Sequence, residues 1–421
     1  MEIGFFIKLN RIKQNITQGE LAEGIVSESY LSKIENQKTE ASKELLELLC
    51  ARLGVIMHYD DDFKTREKCK KWFSLLCEGN DTEEITLLYQ ELQAIMDNHF
   101  SDIHTLFELH KIRYFTLIDE GDLALEQLKK LKEVVTTFDV EKQYYWYKFK
   151  GNFHVKITEN FIQALEYFKI AHSKVNQFLI QEQDIADLKY YMSLTYGKLR
   201  FSNDSIDYAK EALEIFQQHY NYNRCAKTHI LIGIAYRRIK KNDKAIENYD
   251  LALRLAQAHG YLSLIQLTNL NLGHLYETKG NNEKSFYFYN EVVKDPNSRF
   301  QARLKAIISL TRLYYLDNKT TAAINLVTQG KDLLAKENSQ QLLYIEKSLA
   351  FYDALLQSDN DSFAKIANDE LLPLLKKQQD YANIVNYATM AGNHFESMKK
   401  YKLAAQYYKL VNNAYAQLIK I

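Results

Sequence analysis

The sequence predicts an all-α protein, and three observations support that fold class. Only two of the 421 residues are proline, Pro296 and Pro373, and proline is the residue that interrupts a helix most strongly. In the first sixty residues, apolar side chains recur with a period near 3.6, which is the period of an amphipathic helix. Further along the chain, a pattern of small and aromatic residues returns every 40 residues, which is typical of an array of helical hairpins.

The first sixty residues contain the start and stop signals of four short helices. Thr17, with Glu20 three residues later, has the spacing of a capping box, in which each side chain bonds a free backbone N–H of the other residue. Ser27 is a second N-cap candidate, and Gly54 suits the position just beyond a helix C-terminus. With the apolar spacing, these signals predict helices over Ile3–Ile12, over about Thr17–Gly24, from Ser27 onward, and over about Ser42–Leu53.

Two short helices joined by a tight turn can place the second helix in the major groove of DNA. Residues 17–22 read T-Q-G-E-L-A, and residues 30–36 read Y-L-S-K-I-E-N. In this order the two blocks resemble the lambda-repressor-like, Xre-type helix-turn-helix over residues 3–57, although the turn between the helices is one residue short. The resemblance implies that the groove-facing residues are Gln18, Ser27, Glu28, Ser29 and Lys33.

These side-chain types suit DNA contact. Glutamine can pair with adenine, glutamate can accept from cytosine, and lysine can donate to guanine or to phosphate. The alternative is that the five residues are ordinary solvated side chains and helix caps.

The charge balance indicates that a single copy of this segment binds DNA weakly. The chain has 54 basic and 54 acidic residues, and residues 1–60 hold seven basic residues against nine acidic ones. Phosphate neutralisation supplies most of the non-specific affinity for DNA. We therefore expect a homodimer or a higher oligomer that binds an inverted-repeat operator.

Residues 63–421 are expected to form about nine helical hairpins, and residues 1–60 to form a separate domain, with the boundary at Asp60-Asp61-Asp62. The spacing of 40 residues exceeds the roughly 34 residues of the tetratricopeptide repeat, so longer helices are expected. Three copies show the pattern most clearly, and their small and aromatic residues are Ser193, Tyr196, Ser205 and Ala209; Gly233, Tyr236, Ala245 and Tyr249; and Gly273, Tyr276, Ser285 and Tyr289.

This pattern resembles the tetratricopeptide repeat, in which small residues let the two helices of a hairpin approach closely and aromatic rings fill the space beside them. The resemblance implies a right-handed superhelix whose first helices, one from each hairpin, line a concave face. The residues expected on that face are Arg113, Lys148, Asn152, Asp187, Tyr190, Tyr191, Lys227, Arg237, Asn271, His274, Lys305, Arg312 and Asn393.

Some of these side chains are of the kind that binds a peptide. Carboxamides can bond a peptide backbone, and guanidinium groups can bond carboxylates. The alternative is a solvated polar face. The peptide-binding candidates are Arg113, Asn152, Lys227, Arg237, Asn271, His274 and Arg312.

The sequence contains no catalytic or metal-binding motif of the common kinds, and we expect no enzyme activity and no cofactor. The four cysteines stand singly, without zinc-ligand spacing. No apolar run reaches the roughly 18 residues of a membrane span, and no signal-peptide core is present at the start. A cytoplasmic protein is expected.

The combination of an Xre-type domain with about nine tetratricopeptide-type hairpins resembles the RNPP family of peptide quorum-sensing receptors, most closely the NprR type. The resemblance implies a transcription regulator that binds DNA through the helix-turn-helix and a short signalling peptide in the repeat groove. It also raises a sporulation phosphorelay response regulator as a further partner. The alternatives are a repeat protein that sequesters such a protein partner, with DNA binding secondary, and a prophage repressor controlled by peptide. The peptide, the operator and the sign of regulation are not determined by the sequence.

Overall fold

The structure, a computed structural model, describes residues 3–36, 38–55, 62–79, 82–97, 103–336 and 342–420. These residues form twenty-three α-helices and no strand, which confirms the all-α fold class. Contacts between helices divide the chain into two compact units, Met1–Leu231 and Ile232–Ile421. Asp60 and Asp61, at the predicted domain boundary, lie outside the described residues.

The helix-turn-helix consists of α1 (Ile3–Lys13), α2 (Gln18–Ala22), α3 (Glu28–Glu35) and α4 (Lys43–Arg52). The predicted capping box of Thr17 and Glu20 is present, and Ser27 and Ser42 cap α3 and α4. Helix α2 is shorter than predicted because Gly24 adopts a φ of +69°, in the left-handed region where a helix cannot continue. Gly54, with a φ of +70°, follows α4 as expected.

The four short helices enclose an apolar core of their own. Leu21 of α2, Leu31 of α3 and Leu49 of α4 are completely buried there. Helices α1 and α3 approach so closely at Gly4 that a Cβ atom on this residue would lie 2.2 Å from the carbonyl oxygen of Ile34. Only glycine fits at this crossing.

Nine helix pairs follow in the described part of the chain, as the sequence predicts. Three successive first helices begin at residues 182, 222 and 262, so the 40-residue register is confirmed. The pairs are α5 (Asp62–Glu78) with α6 (Thr82–Met96), α7 (His104–Leu117) with α8 (Gly121–Lys132), α9 (Val140–Lys156) with α10 (Phe161–His172), α11 (Glu182–Lys198) with α12 (Ser202–Gln218), α13 (Tyr222–Arg238) with α14 (Asn242–Ala258), α15 (Leu262–Thr278) with α16 (Asn282–Lys294), α17 (Phe300–Leu316) with α18 (Thr320–Leu334), α19 (Leu343–Leu356) with α20 (Asn360–Lys365) and α21 (Leu372–Lys377), and α22 (Tyr381–Ser397) with α23 (Tyr401–Lys420).

The eighth pair is interrupted in its second half. A π-helical turn, Ile366–Leu371, separates α20 from α21. Pro373 stands at the start of α21, and since proline has no backbone N–H it cannot continue the regular hydrogen-bond ladder. The wider turn ends two residues before the proline.

The seams of the hairpins have the predicted small-residue and aromatic construction. A Cβ atom on Gly233 would lie 2.5 Å from the ring of Tyr249, and one on Gly273 would lie 2.6 Å from the ring of Tyr289. In the fourth pair, the hydroxyl of Ser193 donates to the carbonyl of Ser205 at 2.7 Å. Small residues in the first helix therefore give the second helix room to pack an aromatic ring against the backbone.

Candidate functional site

The surface predicted to read DNA is the exposed side of α3, which we call the recognition helix. Ser27, Glu28, Ser29 and Lys33 are all exposed. The Ser27 hydroxyl also accepts a hydrogen bond from the backbone N–H of Tyr30 at 3.2 Å and so fixes the start of the helix. The four side chains face solvent, as contact with base edges requires.

Gln18 differs from these four because its side chain is bonded inside the domain. It is half-buried, and its Nε2 donates to Oε2 of Glu35 at 2.7 Å. The buried Glu35 also accepts two bonds from Arg11, at 2.6 and 2.9 Å. These residues come from α2, α3 and α1, so they hold the recognition helix in place. The sequence analysis missed Arg11 and Glu35. The signal that could have indicated them is a glutamate, Glu35, that follows Ile34 on the apolar side of α3.

The helix-turn-helix packs against the first hairpins through α1. Phe5 lies in one apolar cluster with Phe138, their ring centroids 6.0 Å apart, and Lys13 Nζ lies 3.3 Å from Oε1 of the buried Glu108. Burial alone would raise the pKa of Glu108, but Lys111 and Lys13 outweigh it and lower the pKa below its usual range. Glu108 therefore stays ionised and holds Lys13.

Five buried charged residues of the first unit form what we call the first polar cluster: Arg113, Lys148, Asp184, Asp187 and Arg224. Lys148 Nζ lies 2.9 Å from Oδ1 of Asp184 and 3.0 Å from Oδ2 of Asp187. Arg224 is also bonded to Asp187. The guanidinium of Arg113 lies 4.9 Å from the centre of the Tyr191 ring, a cation–π contact.

The charges of this cluster support one another. Burial alone would lower the pKa of Lys148, but Asp184 and Asp187 raise it well above its usual range. Burial alone would raise the pKa of Asp187, but Lys148 and Arg224 lower it. The first polar cluster thus contains three cationic and two acidic side chains, and one positive charge is in excess.

The C-terminal end of α5 lies on this cluster. The carbonyl oxygen of Cys77 accepts a bond from Nε of Arg224 at 2.9 Å, and the Cys77 thiol donates to Oδ1 of Asp184 at 3.3 Å. Burial raises the pKa of the thiol well above its usual range, so the thiol is neutral. The end of a helix from the first hairpin thus contacts the first helices of the fourth and fifth hairpins.

Asn152 lies one turn after Lys148 on α9 and is completely buried. Neither its Oδ1 nor its Nδ2 has a hydrogen-bond partner among the described residues. A buried polar group left without a partner costs about 1–3 kcal/mol, and native structures contain few of them. Both hydrogen-bonding functions of this carboxamide are therefore unused within the described residues.

A second polar cluster lies in the second unit, and its members are Arg237, His274, Glu277 and Arg312; Asn271 lies one turn before His274 on α15. Nη1 of Arg237 is bonded to Nδ1 of His274. Nη2 of Arg312 lies 2.7 Å from Oε2 of Glu277, and the Tyr289 hydroxyl donates to the same oxygen at 3.2 Å. Nδ2 of Asn271 donates to the backbone oxygen of Leu267 in its own helix, at 2.8 Å.

His274 is neutral at physiological pH. Part of the residue is open to solvent, but the protein around the ring, and then the charges of Arg237 and Arg312, lower its pKa to about 3. The second polar cluster therefore contains two guanidinium groups and one carboxylate, again with one positive charge in excess.

The structure brings most of the predicted peptide-binding residues together in these two groups. Arg113 belongs to the first polar cluster and Asn152 adjoins it. Arg237, His274 and Arg312 belong to the second, while the Asn271 side chain is bonded to the backbone of its own helix. Lys227 is half-buried on α13. The sequence analysis missed three charged members, although the repeat register could have found them, since Arg224 follows Asp184 by 40 residues and Glu277 follows Arg237 by 40.

The described residues contain no group of three or more histidine, cysteine, aspartate or glutamate side chains placed to hold a metal ion. Within the same residues, no helix has both the length and the apolar character needed to cross a membrane.

Known proteins are similar to this chain in both the helix-turn-helix and the hairpins. Residues 7–56 match the helix-turn-helix family. The chain is 33% identical over 409 residues to the transcriptional activator NprA of Geobacillus stearothermophilus, a match that covers 95% of this chain and 100% of NprA. It is 28% identical over 288 residues to response regulator aspartate phosphatase A of Bacillus subtilis (strain 168), covering 65% of this chain and 75% of that protein.

A solved structure shares the fold. The crystal structure of NprR in complex with its cognate peptide NprX has a TM-score of 0.61 and 20% sequence identity, and the match covers 84% of this chain and 99% of that one. Because the similarity to NprA extends over both the helix-turn-helix and the hairpins, the chain belongs to the RNPP family of helix-turn-helix regulators.

Proposed function

We propose that this protein is a peptide-responsive transcription regulator of quorum sensing. The recognition helix binds an inverted-repeat operator in a homodimer or higher oligomer. The first helices of the hairpins bind a short signalling peptide. Peptide binding then changes the arrangement of the helix-turn-helix domains and so the affinity for DNA.

The recognition helix supports the DNA-binding half of this proposal. Its predicted contact residues are exposed, and Gln18, Arg11 and Glu35 fix its position against α1 and α2. NprA, with which this chain shares 33% identity, is a transcriptional activator. A rigidly held helix with free polar side chains is what base reading in the major groove requires.

Asn152 is the observation that carries the peptide-binding half. An extended peptide presents both an N–H and a C=O at each residue, and a carboxamide can satisfy both at once. Asn152 is buried with both of these functions unused within the described residues. The positive charge in excess in each polar cluster favours a peptide with at least one carboxylate. NprR, which shares the fold, was solved with its peptide NprX bound.

Calorimetry with a synthetic peptide tests this half of the proposal. The probe is a peptide of about five to ten residues that ends in a free carboxylate, taken from a small open reading frame beside the gene. Because losing a hydrogen bond in a buried site costs about 1–3 kcal/mol, Asn152→Leu should weaken binding by about tenfold or more. The fold should be kept, since leucine has a similar volume and leaves no polar group unsatisfied.

The matched control is Asn412→Leu, at an exposed position on α23, which should bind the peptide as the parent does. Equal affinity of the parent and Asn152→Leu would contradict the assignment of Asn152 to the peptide site.

The second candidate function is binding of a phosphorelay response regulator, with DNA binding secondary. The similarity to response regulator aspartate phosphatase A of Bacillus subtilis favours it. The test is binding of the response regulator from the same genome, with and without beryllofluoride as a phosphoryl mimic. Tight binding to the response regulator without any affinity for duplex DNA would favour this candidate over the first.

A further inference from the structure

The basic residues of the helix-turn-helix are largely engaged within the protein. Arg11 is bonded to Glu35, and Lys13 to Glu108. Nη1 of Arg52 donates to the backbone oxygen of Leu21 at 3.2 Å. Basic side chains engaged in these contacts are less available to DNA phosphates. The domain already holds only seven basic residues against nine acidic ones. Phosphate contacts from residues outside the domain would offset this shortage of cations.

Lys8 shows which part of the hairpin array lies beside the recognition helix. Its Nζ lies 3.2 Å from Oδ1 of Asn36, the C-cap of α3, and 3.4 Å from the backbone oxygen of Glu133, the C-cap of α8. The C-terminal end of α8 is therefore separated from the C-terminal end of the recognition helix by a single ammonium group.

Two lysines stand on the last turns of α8. Lys129 and Lys132 are exposed, and within the described residues neither forms an ion pair at contact distance, although the charge of Lys129 interacts with that of Glu126. Their neighbour Lys130 is paired with Glu126 at 2.7 Å. Lys132 directly precedes Glu133, so it lies immediately beside the junction with α3.

We propose that Lys129 and Lys132 contact the DNA backbone beside the groove that the recognition helix enters. The inference rests on the proposed DNA binding and extends the interface to the first units of the repeat array. The major groove is about 12 Å wide, so phosphates run along both sides of an inserted helix, and elements that adjoin its end lie close to one of the two strands. These contacts would position the protein on DNA without reading sequence.

The test compares the binding of fluorescein-labelled duplexes at several salt concentrations, with the full chain in every case. The probes are a random-sequence duplex of two to three helical turns and a duplex selected from a random pool by the parent protein. Each phosphate contact contributes about 0.9 to the slope of log K against log salt. Lys129→Gln combined with Lys132→Gln should lower that slope by about 1 to 2, and weaken binding at low salt by roughly tenfold per lysine, equally for both probes.

Two control proteins separate position from total charge. The pair Lys129→Arg and Lys132→Arg should keep the parent slope. The pair Lys169→Gln and Lys210→Gln removes the same charge from exposed positions on α10 and α12, and should also keep it. The inference would be overturned if the Lys129/Lys132 glutamine variant kept the parent slope of log K against log salt. It would also be overturned if the Lys169/Lys210 variant lost as much of that slope. Neither result would contradict DNA binding itself. A parent protein that binds neither duplex would overturn the proposed DNA-binding function and this inference with it.

Discussion

Gly273 allows a direct test of how the hairpins are built. In the seam between α15 and α16, a Cβ atom on this residue would lie 2.6, 2.7 and 2.9 Å from three carbon atoms of the Tyr289 ring. The ring is 1% exposed, and its hydroxyl is bonded to Glu277. Tyr289 therefore has little freedom to move away when Gly273→Ala adds a methyl group.

The size of the effect follows from two opposing contributions. Carbon atoms in contact prefer about 3.5–4.0 Å, so all three approaches are too short by roughly 1 Å, and overpacking of this kind costs about 1–3 kcal/mol. Alanine in place of glycine inside a helix stabilises by about 1 kcal/mol. Because the ring is held on all sides, we place the overpacking cost at the upper end and expect a net loss of about 2 kcal/mol.

The assay is urea unfolding followed by far-ultraviolet circular dichroism. With a slope of ~2 kcal/mol per molar urea, Gly273→Ala should lower the midpoint of the transition that includes α15 and α16 by about 1 M. In a Tyr289→Leu background the ring is absent, so the same substitution should be neutral or stabilising by up to about 1 kcal/mol. Gly19→Ala, where the nearest atoms lie at 3.8 and 4.0 Å, should not destabilise. A neutral or stabilising Gly273→Ala in the parent would refute the reasoning.

Three further predictions concern the first unit. Lys148→Met leaves the buried Asp184 and Asp187 without their shared lysine and should lower the free energy of unfolding by about 3–5 kcal/mol; a loss below about 1 kcal/mol in denaturant titrations would contradict this. Burial lowers the pKa of His110 to about 3 from an ordinary value near 6.5, so the folded state binds fewer protons and stability is lost as the pH falls from 6.5 towards 3. At pH 5 the loss should be on the order of 2 kcal/mol, and His110→Phe should reduce the difference between unfolding at pH 7 and at pH 5. Gly4→Ala forces α1 away from Ile34 and should abolish DNA binding while the affinity for peptide, measured by calorimetry, is retained.

Local signals in the sequence were sufficient to predict the helix-turn-helix. The capping box of Thr17 and Glu20, the N-cap at Ser27 and the glycine at residue 54 are all found where the sequence places them. Each depends on side chains within four residues of the backbone groups they satisfy. The 40-residue register was equally accessible, because close packing in a hairpin repeats the same small residue and aromatic ring.

Contacts between distant parts of the chain were not accessible in this way. Nothing in the spacing of residues indicates that Cys77, at the end of α5, meets Arg224 on α13. The bond from Gln18 to Glu35 likewise depends on how three helices cross. Such contacts are set by the packing of whole elements, and a periodic pattern gives the face of a helix without giving the partner of each side chain. The residue contacts of the DNA and peptide sites remain predictions for the same reason.

Under the proposed function, peptide binding and DNA binding are coupled in one molecule. The most direct measurement is the affinity of the full chain for its selected duplex with and without a saturating amount of the synthetic peptide. Coupling of about 1–3 kcal/mol predicts a change of at least roughly fivefold in the parent at saturating peptide. At a peptide concentration near the parent's dissociation constant, the change in Asn152→Leu should be smaller than the change in the parent. A peptide that binds tightly in calorimetry and leaves the affinity for DNA unchanged would contradict the account.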